Sequence, residues 1–164
     1  MTQMLAEFRV DKLLVKVFPN RVQMGAAAAA AAAADLRKLL SEQEKVVVVF
    51  AAAPSQNEFL DALAKEPGID WQRVVALHMD EYVGLPEGHP QRFSEYLVRR
   101  IWSKVKPGEV HRIRGDAPNP EEEARRYAEI VRANRPDVVL MGIGENGHIA
   151  FNDPPVADFH DPLL

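Results

Sequence analysis

Short runs of apolar, often β-branched residues alternate along the chain with longer segments whose apolar residues recur at helical spacing. The runs that predict strands lie at residues 12–18, 45–53, 73–80, 109–115 and 136–144. The segments that predict helices lie at residues 22–43, 54–68, 91–105 and 119–135. Such alternation is typical of βαβ units around a parallel sheet. We therefore predict an α/β fold with a Rossmann-like, open, mainly parallel sheet and helices on both faces.

The length of the chain suits one domain. A domain of 164 residues, numbered 1–164, buries roughly two thirds of the surface of its unfolded chain, so its core needs no covalent support. The sequence ends at two apolar residues, Leu163 and Leu164, without a closing helix or strand. We expect the domain to be incomplete at its C-terminus.

Composition and charge limit the partners. The net charge of −4 comes from 24 acidic and 20 basic residues without a basic block, which disfavours nucleic acid. The absence of cysteine excludes disulfides and thiolate ligands and suits a reducing cytoplasm. No signal peptide or run of transmembrane length occurs, so no membrane partner is expected. We expect a cytoplasmic protein that binds a small molecule.

Three predicted strands each end in an unusual polar loop. These loops lie at residues 51–57, 78–86 and 142–155. The carboxyl ends of parallel strands share one edge of a sheet, and open α/β sheets bind their ligands there. We therefore expect residues from all three loops to meet over one crevice.

The first loop leads directly into a predicted helix. Ser55 and Gln56 stand there beside the free backbone N–H groups of a helix start, which attract phosphate. The alternative is structural: Ser55 caps the helix, and Glu58 completes a capping box. The sequence leaves both interpretations open.

Two adjacent acids, Asp80 and Glu81, begin the second loop. A carboxylate at a strand end can act as a general base when partial burial raises its pKa. Paired acids on a surface are equally common, but the Gly- and Pro-rich residues that follow, up to residue 90, suggest a lid. Tyr82 either donates a hydroxyl to a ligand or packs as an aromatic residue, and we favour packing.

The third loop contains the sequence GIGENGHIAFNDPP, residues 142–155. Its three glycines fit the dinucleotide pattern G-x-G-x-x-G. That pattern requires a long helix, which residues 152–155 (Asn-Asp-Pro-Pro) would stop within about two turns. The glycines therefore predict a sharp turn at the end of a strand rather than a nucleotide site.

His148 is the candidate acid or base of this loop. The nearby side chains of Glu145, Asn146 and Asp153 can hydrogen-bond one ring nitrogen and leave the other for proton transfer. The alternative is a core histidine.

Two other site classes find little support. Suitable metal ligands exist in His78, Asp80, Glu81, His148 and Asp153, but the H-E-x-x-H spacing is absent and we expect no metal. No G-x-S-x-G elbow occurs, which disfavours a serine hydrolase.

The second and third loops together resemble a known family. HMDEYVGLPEGHPQRF and GIGENGHIAFNDPP are similar to the paired signatures of glucosamine-6-phosphate deaminases (isomerases), within a wider group that includes 6-phosphogluconolactonases. The resemblance implies conversion of glucosamine 6-phosphate to fructose 6-phosphate and ammonia without a cofactor. It also implies an enzyme that we would class as a hydrolase acting on an amino-sugar phosphate. The oligomeric state stays open, with a homo-oligomer as one alternative.

The resemblance assigns roles to individual residues. Asp80 matches the base that removes the C2 proton, and His148 matches the residue that assists ring opening. Asp153 stands where the family carries a glutamate that supports this histidine, and Asn146 where many members have aspartate. The predicted substrate-binding residues are Ser55, Gln56, Glu81, Gly144 and Gly147.

Alternatives to the deaminase remain open. The phosphate loop reads AAAPSQ where family members commonly have a glycine-rich turn, and alanine Cβ atoms limit how closely an anion approaches the backbone. With Asn146 and Asp153, this change also suits a sugar-phosphate sensor without catalysis. A sugar-phosphate lactonase or another sugar isomerase could use the same crevice, but only a deaminase releases ammonia.

Overall fold

The computed structural model describes residues 4–158 and residue 160, so the prediction about Leu163 and Leu164 lies outside the described residues. The strands are β1 Ala6–Val10, β2 Leu13–Val17, β3 Val46–Phe50, β4 Val74–His78, β5 Glu109–Val110 and β6 Val138–Leu140. The helices are α1 Arg21–Glu42, α2 Asn57–Leu63, α3 Phe93–Leu97, α4 Ser103–Val105 and α5 Pro120–Ala133. A π-helical turn over Val98–Trp102 joins α3 to α4, so the two form one helical segment.

The central sheet has the predicted parallel architecture. Its four strands run parallel in the order β5-β4-β3-β6. In the register, Val48 of β3 lies between Ala76 of β4 and Val138 of β6. All five residues of β4 are buried, as expected of a strand covered on both faces.

Helices cover both faces of this sheet. Alternate residues of β3, such as Val46 and Val48, face the larger core, to which α1, α2 and the segment from α3 to α4 contribute. Val47 belongs instead to a smaller cluster with partly buried side chains of α5, including Ile130 and Val131. The predicted α/β fold class is confirmed.

Helix α1 packs closely on α2 through a glycine. A Cβ atom at Gly25 would lie 2.8 Å from backbone atoms of Glu58 and Phe59. Ala29 and Ala33 of α1, which face the core, have no exposed surface. The small side chains of α1 therefore bring the two helices together behind β3.

The first predicted strand exists, but the prediction of which strands it pairs with is wrong. Residues 12–18 were expected to enter the parallel sheet, but β2 pairs with β1 in a separate antiparallel hairpin. Only Asp11 and Lys12 separate the strands, with Asp11 at φ 52°, and so short a connection can join only antiparallel strands. Both strands remain largely exposed.

Other boundaries differ more modestly from the prediction. Strand β5 is shorter than predicted because the chain leaves the sheet after His111, whose N–H still donates to Ala76 O at 2.9 Å. Beyond that point Ile113 donates its N–H to the ring of His78.

Within the described residues, no helix has the length and apolar character to cross a membrane.

Candidate active site

The three polar loops meet at the carboxyl edge of the parallel sheet. They enclose a cleft of about 520 Å³ whose walls include Ser55, Asp80, Gly144 and His148. Ser55 follows β3, Asp80 follows β4, and Gly144 and His148 follow β6. These three strands are neighbours in the sheet. The expected convergence of the three loops is therefore confirmed.

Asp80 lies two residues after the end of β4 and is partly buried in the wall of the cleft. Burial raises the pKa of its carboxyl group, and the negative charge of Glu81 raises it further. A positive charge on His148 acts in the opposite direction. The position thus favours a carboxylate more basic than an exposed aspartate.

Glu81 points away from the cleft, although it neighbours Asp80 in sequence. Its side chain is 0% exposed and accepts hydrogen bonds from the N–H groups of Phe93 at 2.8 Å and Ser94 at 3.1 Å. Burial by itself would raise the pKa of Glu81, but these N–H donors outweigh it and the pKa lies below its ordinary value. Glu81 is therefore an ionised residue at the N-terminus of α3, outside the lining of the cleft.

The imidazole of His148 is oriented by two side chains of its own loop. Its Nδ1 lies 2.6 Å from Asn146 Oδ1 and 3.3 Å from Asp153 Oδ1. Asn146 in turn donates its amide N–H to Asp153 at 2.9 Å, so its oxygen faces the ring. This arrangement places the proton of the neutral ring on Nδ1 and leaves Nε2 with a free electron pair.

A glycine permits this position of the ring. A Cβ atom at Gly144 would overlap three atoms of the His148 ring, and Gly144 N–H donates to His148 O at 2.9 Å. Gly147 turns the chain between them with φ +88°. Gly144 lines the cleft and Gly147 does not, so the structure gives the second glycine a conformational part.

The first loop presents Ser55 to the cleft. Ser55 lies in a 3₁₀ turn, Pro54–Gln56, that precedes α2, and its hydroxyl has no hydrogen-bond partner in the described part of the chain. The capping-box alternative is wrong, because no side chain caps α2 and Glu58 pairs with Arg21 at 2.8 Å. The side-chain amide of Gln56 lies beside Gly142.

Three aromatic rings form the wall beside Asp80. The ring of Tyr82 lies 4.6 Å from Phe93 and 6.3 Å from Phe151, centroid to centroid. The packed interpretation of Tyr82 is thus supported. Phe93 and Phe151 were not among the predicted site residues. An apolar ring within the polar third loop was a usable signal for Phe151, whereas Phe93 is the first residue of α3.

Arg92 is a third residue that the sequence analysis missed. Its side chain is 5% exposed, and its guanidinium lies 3.3 Å from Asp116 Oδ1 and 3.1 Å from Ile113 O. Gly84 N–H also donates to Gly115 O at 2.7 Å. The loop at residues 82–92 is therefore tied to the segment after β5.

His78, considered above as a metal ligand, belongs to the core. Its Nε2 accepts the N–H of Ile113 at 2.8 Å, and its ring packs edge-on against Trp102. Burial lowers the pKa of His78 to about 4, so the ring stays neutral near pH 7. Within residues 4–158 and 160, no three histidine or acidic side chains are grouped as metal ligands.

Comparison with known sequences gives consistent matches. Residues 19–152 match the family model described as glucosamine-6-phosphate isomerases/6-phosphogluconolactonase. A glucosamine-6-phosphate deaminase from Exiguobacterium sp. is 43% identical over 93 residues, which cover 57% of this chain and 37% of the relative. Glucosamine-6-phosphate deaminase 1 from Giardia intestinalis is 44% identical over 98 residues, with 58% and 37% covered. The matched part thus spans well under half of either relative.

Solved structures share the fold. A monomeric glucosamine-6-phosphate deaminase is 28% identical with a TM-score of 0.74, covering 82% of this chain and 57% of that structure. A 6-phosphogluconolactonase from Plasmodium vivax has a TM-score of 0.78 at 14% identity, covering 92% and 55%. At that identity the second likeness concerns the fold alone.

Proposed function

This chain belongs to the family of glucosamine-6-phosphate isomerases and 6-phosphogluconolactonases, and from that premise we propose an activity for the whole protein. Its cleft converts glucosamine 6-phosphate, or a close analogue, to the ketose phosphate and ammonia. The observation that carries this proposal is the joint presence of partly buried Asp80 and oriented His148 in one cleft. The deaminase names of the curated relatives support the same substrate class.

His148 opens the sugar ring in this proposal. Its free Nε2 takes the proton of the anomeric hydroxyl, and the C1–O5 bond breaks as the ring oxygen receives a proton from the imidazolium. Asn146 and Asp153 hold Nδ1–H during both transfers and stabilise the positive charge between them. The product of the step is the open-chain aldehyde.

Asp80 then moves a proton between two carbons. Its carboxylate removes the C2 proton of the aldehyde while the aldehyde oxygen takes up the proton that the ammonium group releases, which gives an enolamine. Asp80 then returns its proton to C1, which gives a protonated ketimine at C2. Water adds to the ketimine and releases ammonia, leaving the ketose phosphate. Burial and the neighbouring charge of Glu81 raise the pKa of Asp80 and so make it a better base.

We assign binding of the substrate's phosphate group to the first loop. Ser55 lies on the wall of the cleft, where its hydroxyl has no hydrogen-bond partner among the described residues, and Gln56 lies beside Gly142 at the same edge. Gly144 contributes the close backbone approach that the ring of His148 requires, and Gly147 the turn. The side chain of Glu81 is fully buried and hydrogen-bonded outside the cleft, so we propose that it acts on Asp80 rather than on the sugar.

Deamination is favoured over lactone hydrolysis. The relatives at 43% and 44% identity are named deaminases, whereas the similar lactonase structures establish only the fold. The hydrolase class expected from the sequence is not supported by these names. The product assay described next distinguishes a deaminase from a lactonase and from a non-catalytic sensor.

A product assay tests the proposal. The whole protein that contains this chain is incubated with glucosamine 6-phosphate, and in parallel with 6-phosphogluconolactone. We expect equal amounts of ammonia and fructose 6-phosphate from the first substrate and no acceleration of lactone hydrolysis above the spontaneous rate. Lactone hydrolysis without ammonia would favour the lactonase, and binding of the amino sugar without turnover would favour the sensor.

A further inference from the structure

The carboxylate of Glu81 joins the two ends of the loop at residues 82–92. At the start of the loop it accepts the N–H of Tyr82 at 3.1 Å. Beyond the far end it accepts the N–H of Phe93 at 2.8 Å, and both the N–H and the hydroxyl of Ser94, at 3.1 and 2.8 Å. One fully buried side chain therefore closes the base of this loop.

Arg92 extends the connection away from the cleft. Its Nε lies 3.5 Å from Glu81 Oε2, while its two terminal nitrogens contact Asp116 and the carbonyl oxygen of Ile113. The side chains of Glu81 and Arg92 are 0% and 5% exposed. A buried ion pair of this kind is held in one geometry by its remaining hydrogen bonds, and removing one partner leaves an uncompensated charge.

This cluster lies directly behind the proposed catalytic base. Asp80 precedes Glu81 in the chain, so the hydrogen bonds of Glu81 also fix the backbone from which Asp80 enters the cleft. Among the described residues, the charged groups that act on Asp80 are Glu81 from its own loop and His148 from the loop after β6. Glu81 opposes ionisation of Asp80, and a protonated His148 favours it.

We propose that Glu81 is a positioning residue, which closes the loop at residues 82–92 and keeps a permanent negative charge beside Asp80. The inference rests on the proposed function, because the negative charge of Glu81 affects catalysis only if Asp80 removes a proton. Its two parts are separable. The reach of the side chain sets the geometry of the loop, and the charge sets the basicity of Asp80.

Glu81→Gln tests the charge, because glutamine keeps the size of the side chain and one acceptor oxygen. Loss of the charge lets Asp80 ionise more easily, so the acid limb of kcat/KM should move to lower pH by about 0.5–1 unit. A residue with a purely structural part would lower the rate without this directed shift. Glu87→Gln is the matched control, since it removes an exposed carboxylate from the same loop and should leave the limb in place.

Glu81→Asp tests the reach, because aspartate keeps the charge on a shorter side chain. The amides of Phe93 and Ser94 should lose hydrogen-exchange protection, and kcat should fall by about 10-fold since small misplacements of a catalytic group are costly. The acid limb should stay within about 0.2 unit of the parent. If Glu81→Gln does not fold, this variant alone still decides the geometric part.

A carbon-13 NMR titration of the Asp80 carboxyl group separates this inference from the proposed function, since it needs no turnover. We expect a lower titration midpoint for Asp80 in Glu81→Gln than in the parent. That shift in a protein without deaminase activity would uphold the effect of Glu81 on Asp80 and reject the proposed function. An unchanged midpoint in folded Glu81→Gln, or parental kcat in Glu81→Asp, would overturn the inference.

Discussion

At the residue scale, the position of the His148 ring depends on the missing side chain of Gly144 as much as on the hydrogen-bonding side chains of Asn146 and Asp153. The ring lies directly against the backbone of Gly144, where any Cβ would overlap it, while Asn146 and Asp153 orient Nδ1. The sequence predicted this group of residues, because they share one short loop. It could not reveal the contact between Gly144 and the ring, which arises only once the turn at Gly147 has folded.

Gly144→Ala should therefore displace the imidazole from Asn146. We expect kcat/KM to fall by about 100-fold, the range of general acid–base contributions, with little change in melting temperature because this loop is largely exposed. Gly142→Ala is the control. Among the described residues, its Cβ would meet only the flexible end of Gln56, at 3.3 Å, so the activity of this variant should fall much less. Equal losses in the two variants would show that the contact with His148 is unimportant.

At the element scale, buried strands are the most predictable parts of this chain. The runs containing β3 and β4 are continuously apolar because both faces of these strands are covered, and the sequence located both. The run at residues 12–18 is also largely apolar, with Lys16 as an interruption, yet the two-residue turn before it directs β2 into a hairpin. Hydrophobicity alone does not identify the partner of a strand; the length of its connection does.

The contact between α1 and α2 gives a prediction with a defined sign. Helix propensity alone would make Gly25→Ala stabilising by about 1 kcal/mol. The added Cβ would lie 2.8 Å from the backbone of α2, so we expect a net destabilisation of about 1–3 kcal/mol, as for other overpacked cores. The free energy of unfolding, measured by circular dichroism in urea, provides the test.

Exposed Ala30 on the same helix supplies the control. Ala30→Gly should destabilise by about 1 kcal/mol through propensity alone. If Gly25→Ala instead raises the free energy of unfolding, the two helices lie farther apart than the structure places them.

At the scale of the whole molecule, parallel topology assembles the cleft. Because β3, β4 and β6 are neighbours that point the same way, their three loops converge although they are far apart in the sequence. That convergence was predictable from the expected parallel sheet, whose strands share one carboxyl edge, and from the polar loops that follow them. The Glu81–Arg92–Asp116 chain was not, because its members are separated by loops whose paths no local pattern specifies.

Exchange of the C2 proton tests the central claim most directly. The whole protein, incubated with glucosamine 6-phosphate in deuterium oxide, should incorporate deuterium at C2 of recovered substrate or at C1 of the ketose, as measured by NMR. Asp80→Asn should slow this exchange by at least about 1,000-fold while the sugar phosphate still binds. Exchange at the parental rate in Asp80→Asn would contradict the assignment of Asp80 as the base.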